Sequence, residues 1–233
     1  MSRASQARPP RGSTEIDGYF DSLIARVPDP AHPNGSTAAT SSSLGAVHLA
    51  QLSTDLSVSV DDVVMYVLAW KLDAKVPMTI SKEEWSYVLY NMRIHTLADL
   101  RAALPALRAD VAAPPQFKAF YYFLFDWTRE SAMARIIPND VALVMWPLAF
   151  SSLRTPWAHF GDWMTYIETV YRKPVSRDLW RQTLEYTLVN PLAEDPNGAW
   201  PSAMDDFAEW LRKGKPTPVP PPSATAAPKG GSA

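Results

Sequence analysis

The most informative segment of this chain reads Asn197-Gly-Ala-Trp-Pro-Ser-Ala-Met-Asp-Asp-Phe-Ala-Glu-Trp-Leu-Arg212. Its Asn-Gly pair is typical of a turn, and Pro201 suits the first turn of a helix, where a missing N–H costs nothing. Apolar residues then recur at spacings of three and four, which predicts one helical stripe formed by Trp200, Met204, Phe207, Trp210 and Leu211. Asp205, Asp206 and Glu209 fall on other faces. The segment therefore predicts an amphipathic helix with an acidic outer surface.

Similar start signals along the rest of the chain predict further helices. Ser176 is placed as an N-cap with Asp178 in the favourable first turn, and capping boxes begin at Ser81 and Thr96. In chain order the predicted helices span 14–27, 44–56, 60–72, 81–92, 96–112, 117–128, 141–150 and 157–170, followed by those at Ser176 and Trp200. We therefore predict an all-α fold of about ten short helices.

Some local features leave alternatives. Segment 60–72 is rich in β-branched residues, as a strand would be, but its length and a capping pattern at Ser59 and Asp62 favour a helix. Pro105 and Pro147 are predicted to bend their helices, because proline removes an internal hydrogen bond. The pair at 114–115 is predicted to break the chain.

Composition limits the class of protein. The 233 residues are 47% hydrophobic and include nine Trp, which predicts one folded domain with a substantial core. A net charge of −2 gives no general attraction to nucleic acid or to anionic membranes. Without cysteine there is no disulfide framework and no thiolate nucleophile. Because no signal peptide or apolar membrane span is evident, we expect a soluble protein of the nucleus and cytoplasm.

Both ends of the chain are predicted to lie outside the folded domain. Residues 1–12 and the Pro-rich residues 214–233 are expected to be disordered tails around a domain at 13–213. The proline run also fits an SH3- or WW-type ligand, an alternative to a passive tail.

The sequence predicts no metal site, because the histidines lack ligand spacing and loop 28–43 lacks the acidic pattern of a calcium loop. No catalytic triad or nucleotide-binding loop is present, so we predict no catalytic side chain and no cofactor.

Several motifs together resemble one known family. They are Ser176-Arg-Asp-Leu-Trp180, Gly198-Ala-Trp-Pro201, Asp205-Asp-Phe-Ala-Glu-Trp210, Val67-Leu-Ala-Trp-Lys71, Phe117-Lys-Ala-Phe-Tyr121, Phe125-Asp-Trp127 and Ala142-Leu-Val-Met-Trp146. In order and spacing they resemble the defective-in-cullin-neddylation family, whose core is called the potentiating-neddylation or DCUN domain. The resemblance covers residues 14–212. It implies EF-hand-like helix pairs without calcium loops, followed by a C-terminal helical subdomain.

The resemblance implies a co-ligase that brings a cullin C-terminal domain together with the charged neddylation conjugating enzyme, the E2. The family's cullin-binding trio falls on Asp178, Ala199 and Asp205, with Asp206 beside it. From residue 182 to 211 the sequence has six acidic residues and no Lys or Arg, which favours a basic partner. The alternative is that Asp178 complements a helix dipole and that the other carboxylates form a solvated face.

The resemblance also implies an apolar pocket for the N-acetylated first methionine of the E2. The matching residues are Leu49, Leu52, Met65, Leu68, Ala69, Leu72, Ile80, Trp127, Met145 and Leu148. The alternative for each of them is a plain core position. Because a free N-terminal amine would bring a charge into an apolar site, we expect acetylation to strengthen binding.

Three functions remain open from the sequence. A scaffold-type ligase component would act by positioning two proteins, without a covalent intermediate. A cullin-binding adaptor or inhibitor would use the acidic residues without promoting transfer. An enzyme with its own active site has little support. We expect a monomer whose partners are a cullin and the E2, not nucleic acid or membrane.

Overall fold

The structure, a computed structural model, describes residues 14–28, 43–153, 157–188 and 200–216. These ranges contain ten α-helices, which confirms the predicted all-α class. The helices are α1 (Glu15–Arg26), α2 (Ala46–Asp55), α3 (Val63–Lys71), α4 (Lys82–Asn91), α5 (Leu97–Asp110), α6 (Pro114–Trp127), α7 (Asn139–Phe150), α8 (Phe160–Tyr166), α9 (Arg177–Tyr186) and α10 (Ser202–Arg212). A π-helical turn, Ile167–Tyr171, continues α8. The predicted tails are 1–12, which lies outside the described residues, and 214–233, of which 214–216 are described. In that part Lys215 pairs with Asp162 at 2.7 Å, and the Pro216 carbonyl accepts from the Trp210 indole N–H at 3.0 Å.

Two short antiparallel ladders join the helices in pairs. Strand β1 (Ser43–Leu44) pairs with β2 (Ile80–Ser81), and β3 (Ile136–Ile137) pairs with β4 (Val175–Ser176). Each strand leads at once into a helix, so the ladders connect the entrances of α2 and α4 and those of α7 and α9. The EF-hand-like character of these pairs stays a prediction. The loop expected to lack calcium ligands lies largely outside the described residues.

The predicted helix starts are confirmed by their hydrogen bonds. At α4, Glu84 N–H donates to Ser81 Oγ at 3.2 Å, and the Ser81 N–H donates to the Glu84 carboxylate at 2.8 Å. Thr96 forms the same capping box at α5. At α9, Ser176 Oγ accepts from the Leu179 N–H at 3.1 Å. Each box satisfies N–H groups that the first helical turn leaves unpaired.

Several predicted boundaries were wrong for local reasons. Helix α3 begins at Val63 rather than at residue 60, because Asp62 itself is the N-cap and accepts from the Val64 N–H at 2.9 Å. Ser59 belongs to the preceding turn. Helix α6 begins at Pro114 rather than at residue 117, since proline fits a first turn instead of breaking it. Trp157 and Trp200 precede their helices.

An aromatic cluster between α6, α7 and α9 forms the centre of the C-terminal half. The rings of Tyr121 and Trp180 stack at 4.6 Å between centroids, and Trp146 also stacks on Trp180 at 5.2 Å. All three side chains are buried. Buried aromatic rings contribute large apolar areas, so this cluster fixes the direction of α9, on which Asp178 lies.

Candidate functional site

Three of the predicted cullin-contacting residues, Asp178, Asp205 and Asp206, are exposed, and we call them the acidic surface. Asp178 lies in the first turn of α9, which the Ser176 cap fixes. Asp205 lies in the first turn of α10, and Asp206 follows it. Ala199, the remaining member of the predicted set, lies outside the described residues.

The buried side of α10 determines where its carboxylates point. Met204 and Phe207 are fully buried, and the Phe207 ring meets Trp163 edge-on at 5.1 Å. The Tyr186 hydroxyl at the end of α9 donates to the Met204 carbonyl at 3.4 Å. With this side packed against α8 and α9, the helical period leaves Asp205 and Asp206 facing solvent.

The carboxylates of the acidic surface lie close enough to nearby tyrosines to affect their ionisation. Burial, together with the charge of Asp205, raises the pKa of Tyr186 to about 12. Burial and the charge of Asp206 raise the pKa of Tyr166 in the same way. Tyr186 ends α9 and Asp178 lies in its first turn, so these two residues are about 12 Å apart along the helix axis.

Ion pairs reduce the wider acidic field that the sequence predicted. Glu185 pairs with Lys118, and Glu209 pairs with Lys213 at 2.6 Å. Two more of the six acids, at 194 and 195, lie outside the described residues. Within the described ranges, Asp178, Asp205 and Asp206 make no ion pair. Among the acids from 182 to 211 that the structure describes, those left without an ion pair are therefore Asp205 and Asp206.

A second candidate site, which we call the apolar cleft, lies between α2, α3 and the end of α6. Its volume is about 140 Å³, and its walls are Ala46, Leu49, Val60, Met65, Tyr66, Met78 and Trp127. Leu49, Met65 and Trp127 belong to the pocket that the sequence predicted. Ligand pockets for drug-sized molecules begin near roughly 300 Å³, so this volume suits one apolar side chain better than a cofactor.

The other predicted pocket residues are buried and do not line the apolar cleft. They are Leu52, Leu68, Ala69, Leu72, Ile80, Met145 and Leu148. The first five are at most 1% exposed, so their side chains form the core behind the cleft wall. Contact between these residues and a ligand stays a prediction, and it requires the cleft to open further.

Four wall residues were missed: Ala46 and Tyr66 lie on α2 and α3, and the other two lie outside the helices. Val60 and Met78 lie in turns, and Met78 adopts a left-handed backbone with φ 50°. Its N–H donates to the Trp127 carbonyl at 3.1 Å, which seals the loop against the end of α6. Tyr66 meets the Trp127 ring edge-on at 5.7 Å. A positive φ at Met leaves no sequence signal, whereas a glycine there would have given one.

The walls of the apolar cleft include two side chains with a polar group, Tyr66 and Trp127. The Trp127 indole N–H is buried and has no hydrogen-bond partner in the part of the chain described. Burial of Tyr66, with a smaller effect from the Asp61 charge, raises the pKa of that phenol and keeps it neutral. An unpaired buried donor costs about 1–3 kcal/mol, so a ligand carbonyl reaching this N–H would be favoured.

Other kinds of site find little support in the described ranges. No group of three or more His, Asp or Glu side chains there is placed to hold a metal ion. None of the helices described is long and apolar enough to cross a membrane. The expectations of no metal and no membrane therefore stay predictions.

Comparison with known proteins relates the chain to one family. A family model described as cullin binding matches residues 99–210, from α5 to α10, and so includes the acidic surface and Trp127. The chain is similar to DCN1-like protein 4 of Homo sapiens, with 30% identity over 178 residues, covering 75% of this chain and 60% of that protein. It is also similar to DCN1-like protein 5 of Rattus norvegicus, with 30% identity over 172 residues, covering 72% of this chain and 71% of that protein.

The extent of the match differs between relatives. The chain spans about 60% of the length of the human and Danio rerio DCN1-like protein 4 sequences. It spans 68% of the Drosophila melanogaster protein of the same name, at 29% identity. These matches agree with the motifs quoted above. The chain therefore belongs to the defective-in-cullin-neddylation family of DCN1-like proteins.

Proposed function

We propose that this protein is a scaffold-type co-ligase for cullin neddylation. The acidic surface would bind a cullin C-terminal domain, and the apolar cleft would bind the N-acetylated N-terminus of the E2. The observation that carries the proposal is the presence of two different sites on one chain. One has carboxylates that make no ion pair within the described ranges, and the other is apolar. A protein that brings two partners together needs two such sites.

The charge of the acidic surface supports a basic partner. Asp178 and Asp205 are exposed and make no ion pair within the described ranges, so an incoming Lys or Arg can reach both. Exposed charges of this kind accelerate encounter and select the partner more than they tighten the complex. The matching family model, described as cullin binding, spans this surface and supports a cullin as that partner.

The walls of the apolar cleft support an N-acetylated methionine as the ligand from the E2. Burying one Met side chain contributes roughly 1.5–3 kcal/mol. The Trp127 N–H is buried, and the acetyl carbonyl could accept from it only after the cleft opens further. A free amine would instead carry a charge into an apolar site, at a cost of several kcal/mol unless it is paired. Acetylation would therefore act as an affinity switch.

Acceleration of transfer would come from positioning. When two proteins bind the same scaffold, part of a bimolecular search becomes a local one. The proposed mechanism assigns no proton transfer to a side chain of this protein, and the chain contains no cysteine to hold the modifier. The rate increase would therefore belong to the assembled complex.

We also propose that residues 13–213 act as one monomeric domain in the nucleus and cytoplasm. A single hydrophobic cluster supports the domain assignment, since it extends from Ile16 in α1 to Trp210 in α10. Both ends of the proposed domain thus contribute to the same core.

One observation favours a second candidate function, a cullin-binding adaptor that does not promote transfer. Most of the predicted pocket residues lie in the core rather than in the wall of the apolar cleft. An adaptor would need only the acidic surface.

A concentration series in a reconstituted transfer reaction distinguishes the two functions. With the E2 and a cullin C-terminal domain held fixed and subsaturating, a scaffold should first raise the initial transfer rate. At excess it should lower the rate again, because each partner then occupies a different scaffold molecule. An adaptor should give either no effect or a monotonic fall, and that result would contradict the co-ligase proposal.

A further inference from the structure

The segment that follows α6 and includes β3, which we call loop 129–137, displays two apolar side chains to solvent. Met133 is 89% exposed and Ile136 is 48% exposed. Single exposed apolar residues are common and need no explanation. The feature that distinguishes this loop is the number of contacts that hold its backbone in place.

One arginine braces the turn that carries Met133. Nη1 of Arg129 donates to the carbonyls of Ala132 and Ala134, both at 2.8 Å, and these carbonyls flank Met133 on either side. Arg129 Nε donates to the Asp126 carbonyl at 3.2 Å. The Ala134 N–H closes the turn by donating to the Ser131 carbonyl at 3.1 Å. Met133 is thus exposed on a fixed backbone.

The same loop is tied to the start of α9. Ile136 is the ladder partner of Ser176, the residue that caps α9. Arg177 Nη2 lies 2.6 Å from Asp126 Oδ1, and Arg129 Nε lies 3.4 Å from the same oxygen. The Asp126 carboxylate therefore lies close both to Arg129, which braces the loop, and to Arg177, which precedes Asp178.

We propose that Met133 and Ile136 extend the acidic surface as an apolar contact for the same cullin C-terminal domain. This inference rests on the proposed function. The juxtaposition of a fixed apolar pair with the unpaired Asp178 carboxylate is the reason for assigning both to one partner. Binding then orders little of the loop, so the usual loss of conformational freedom is small.

The side chains of loop 129–137 indicate what the complementary surface of the cullin domain should contain. Methionine is enriched at protein interfaces, and buried apolar anchors near the centre of an interface carry much of its binding energy. Arg135 is exposed and makes no ion pair within the described ranges. The complementary cullin surface would have an apolar centre, a basic group opposite Asp178 and an acidic or polar group opposite Arg135.

The test is calorimetric titration of a cullin C-terminal domain into the full chain and its variants. In the double variant Met133→Ser with Ile136→Thr, binding should weaken roughly tenfold while its salt dependence stays that of the wild type. Arg129→Gln keeps both apolar side chains but removes the brace, and it should weaken binding several-fold. Circular dichroism confirms folding. The matched control is Val76→Thr, because Val76 is 57% exposed on the loop after α3, and it should bind as the wild type does.

The outcomes separate this inference from the proposed function. If the wild type binds and the double variant binds equally well, the apolar extension is wrong and the acidic surface stands alone. If Val76→Thr weakens binding as much as the double variant does, the extension is also wrong, since the effect is then not local. If the wild type does not bind the cullin domain, both proposals are overturned.

Discussion

Tyr121 and Trp180 are joined by two reciprocal hydrogen bonds. The Tyr121 hydroxyl donates to the Trp180 carbonyl, and the Trp180 indole N–H donates to the Tyr121 carbonyl, each at 2.8 Å. The Trp146 indole N–H donates to the Tyr121 hydroxyl oxygen, also at 2.8 Å. One buried hydroxyl therefore holds α6, α7 and α9 together, and with them the helix that carries Asp178.

Replacing Tyr121 with Phe should lower the free energy of unfolding by about 1–3 kcal/mol, because it leaves the Trp146 indole N–H buried without a partner. Urea unfolding monitored by circular dichroism measures the change. Tyr171→Phe is the control, since its hydroxyl makes an exposed bond of 3.3 Å to the Pro174 carbonyl. The control should change stability by less than about 0.5 kcal/mol. Equal losses in the two variants would contradict a special role for the Tyr121 hydroxyl.

Reversing a charge on the acidic surface should abolish cullin binding without unfolding the protein. Asp178→Lys and Asp205→Lys each place a cation opposite the expected basic partner and should weaken binding at least roughly tenfold. Glu83→Lys is a matched control, because Glu83 is also an exposed acid in the first turn of its helix. Calorimetric titration provides the measurement, and wild-type binding should weaken as salt is raised. Wild-type affinity in Asp205→Lys would remove the acidic surface from the proposal.

The apolar cleft should distinguish acetylated from free N-termini. We expect a free-amine peptide from the E2 to bind at least roughly tenfold more weakly than its N-acetyl-Met form. Ala46→Trp should fill the cleft, because Ala46 lines it and is exposed at the start of α2. Ala102→Trp makes the same change at an exposed position of α5 and should bind both peptides as the wild type does. Equal titration curves for the two peptides would contradict the pocket.

Ala69→Trp, a substitution at one of the predicted pocket residues, is a poorer test. Ala69 is fully buried in α3, so a Trp there would overpack the core and lower stability by about 1–3 kcal/mol. Ala46 avoids this difficulty.

Stability should fall in acid partly through Asp17. Burial opposes ionisation of this carboxyl, but hydrogen bonds from the Ser86 hydroxyl and from the Thr14 N–H and hydroxyl outweigh it and hold the pKa below the ordinary 3.8. Because the folded pKa is the lower one, the stabilisation is complete above pH 3.8 and is lost as pH falls through the folded pKa. Urea unfolding of wild type and Asp17→Asn from about pH 7 to about pH 2.5 measures this loss. The wild type should lose more stability over that interval, and parallel curves would contradict the assignment.

Local patterns were predictable from the sequence because they depend on residues close in the chain. The capping boxes at Ser81 and Thr96 and the N-cap at Ser176 lie within four residues of their partners, so each could be read directly. The all-α class follows from the same helical signals. The start of α3 shows the limit of such predictions. Ser59 and Asp62 are both residue types that cap helices, and only the structure identifies Asp62 as the N-cap.

Long-range features could not be read in this way. Lys118 neutralises Glu185 from another helix, which reduces the acidic field that the linear sequence suggested. The cleft wall depends on Met78, whose left-handed backbone is fixed by a bond to the Trp127 carbonyl. Contacts between distant segments and unusual backbone angles are set by tertiary packing, which leaves no local periodicity.

Bridging requires both surfaces on one molecule, and a mixing experiment in the reconstituted transfer reaction tests this most directly. Asp205→Lys retains the apolar cleft, and Ala46→Trp retains the acidic surface. Each variant alone should fail to accelerate transfer onto the cullin, and an equimolar mixture of the two should fail as well. Acceleration by either single variant at the wild-type level, or its recovery in the mixture, would contradict the scaffold mechanism.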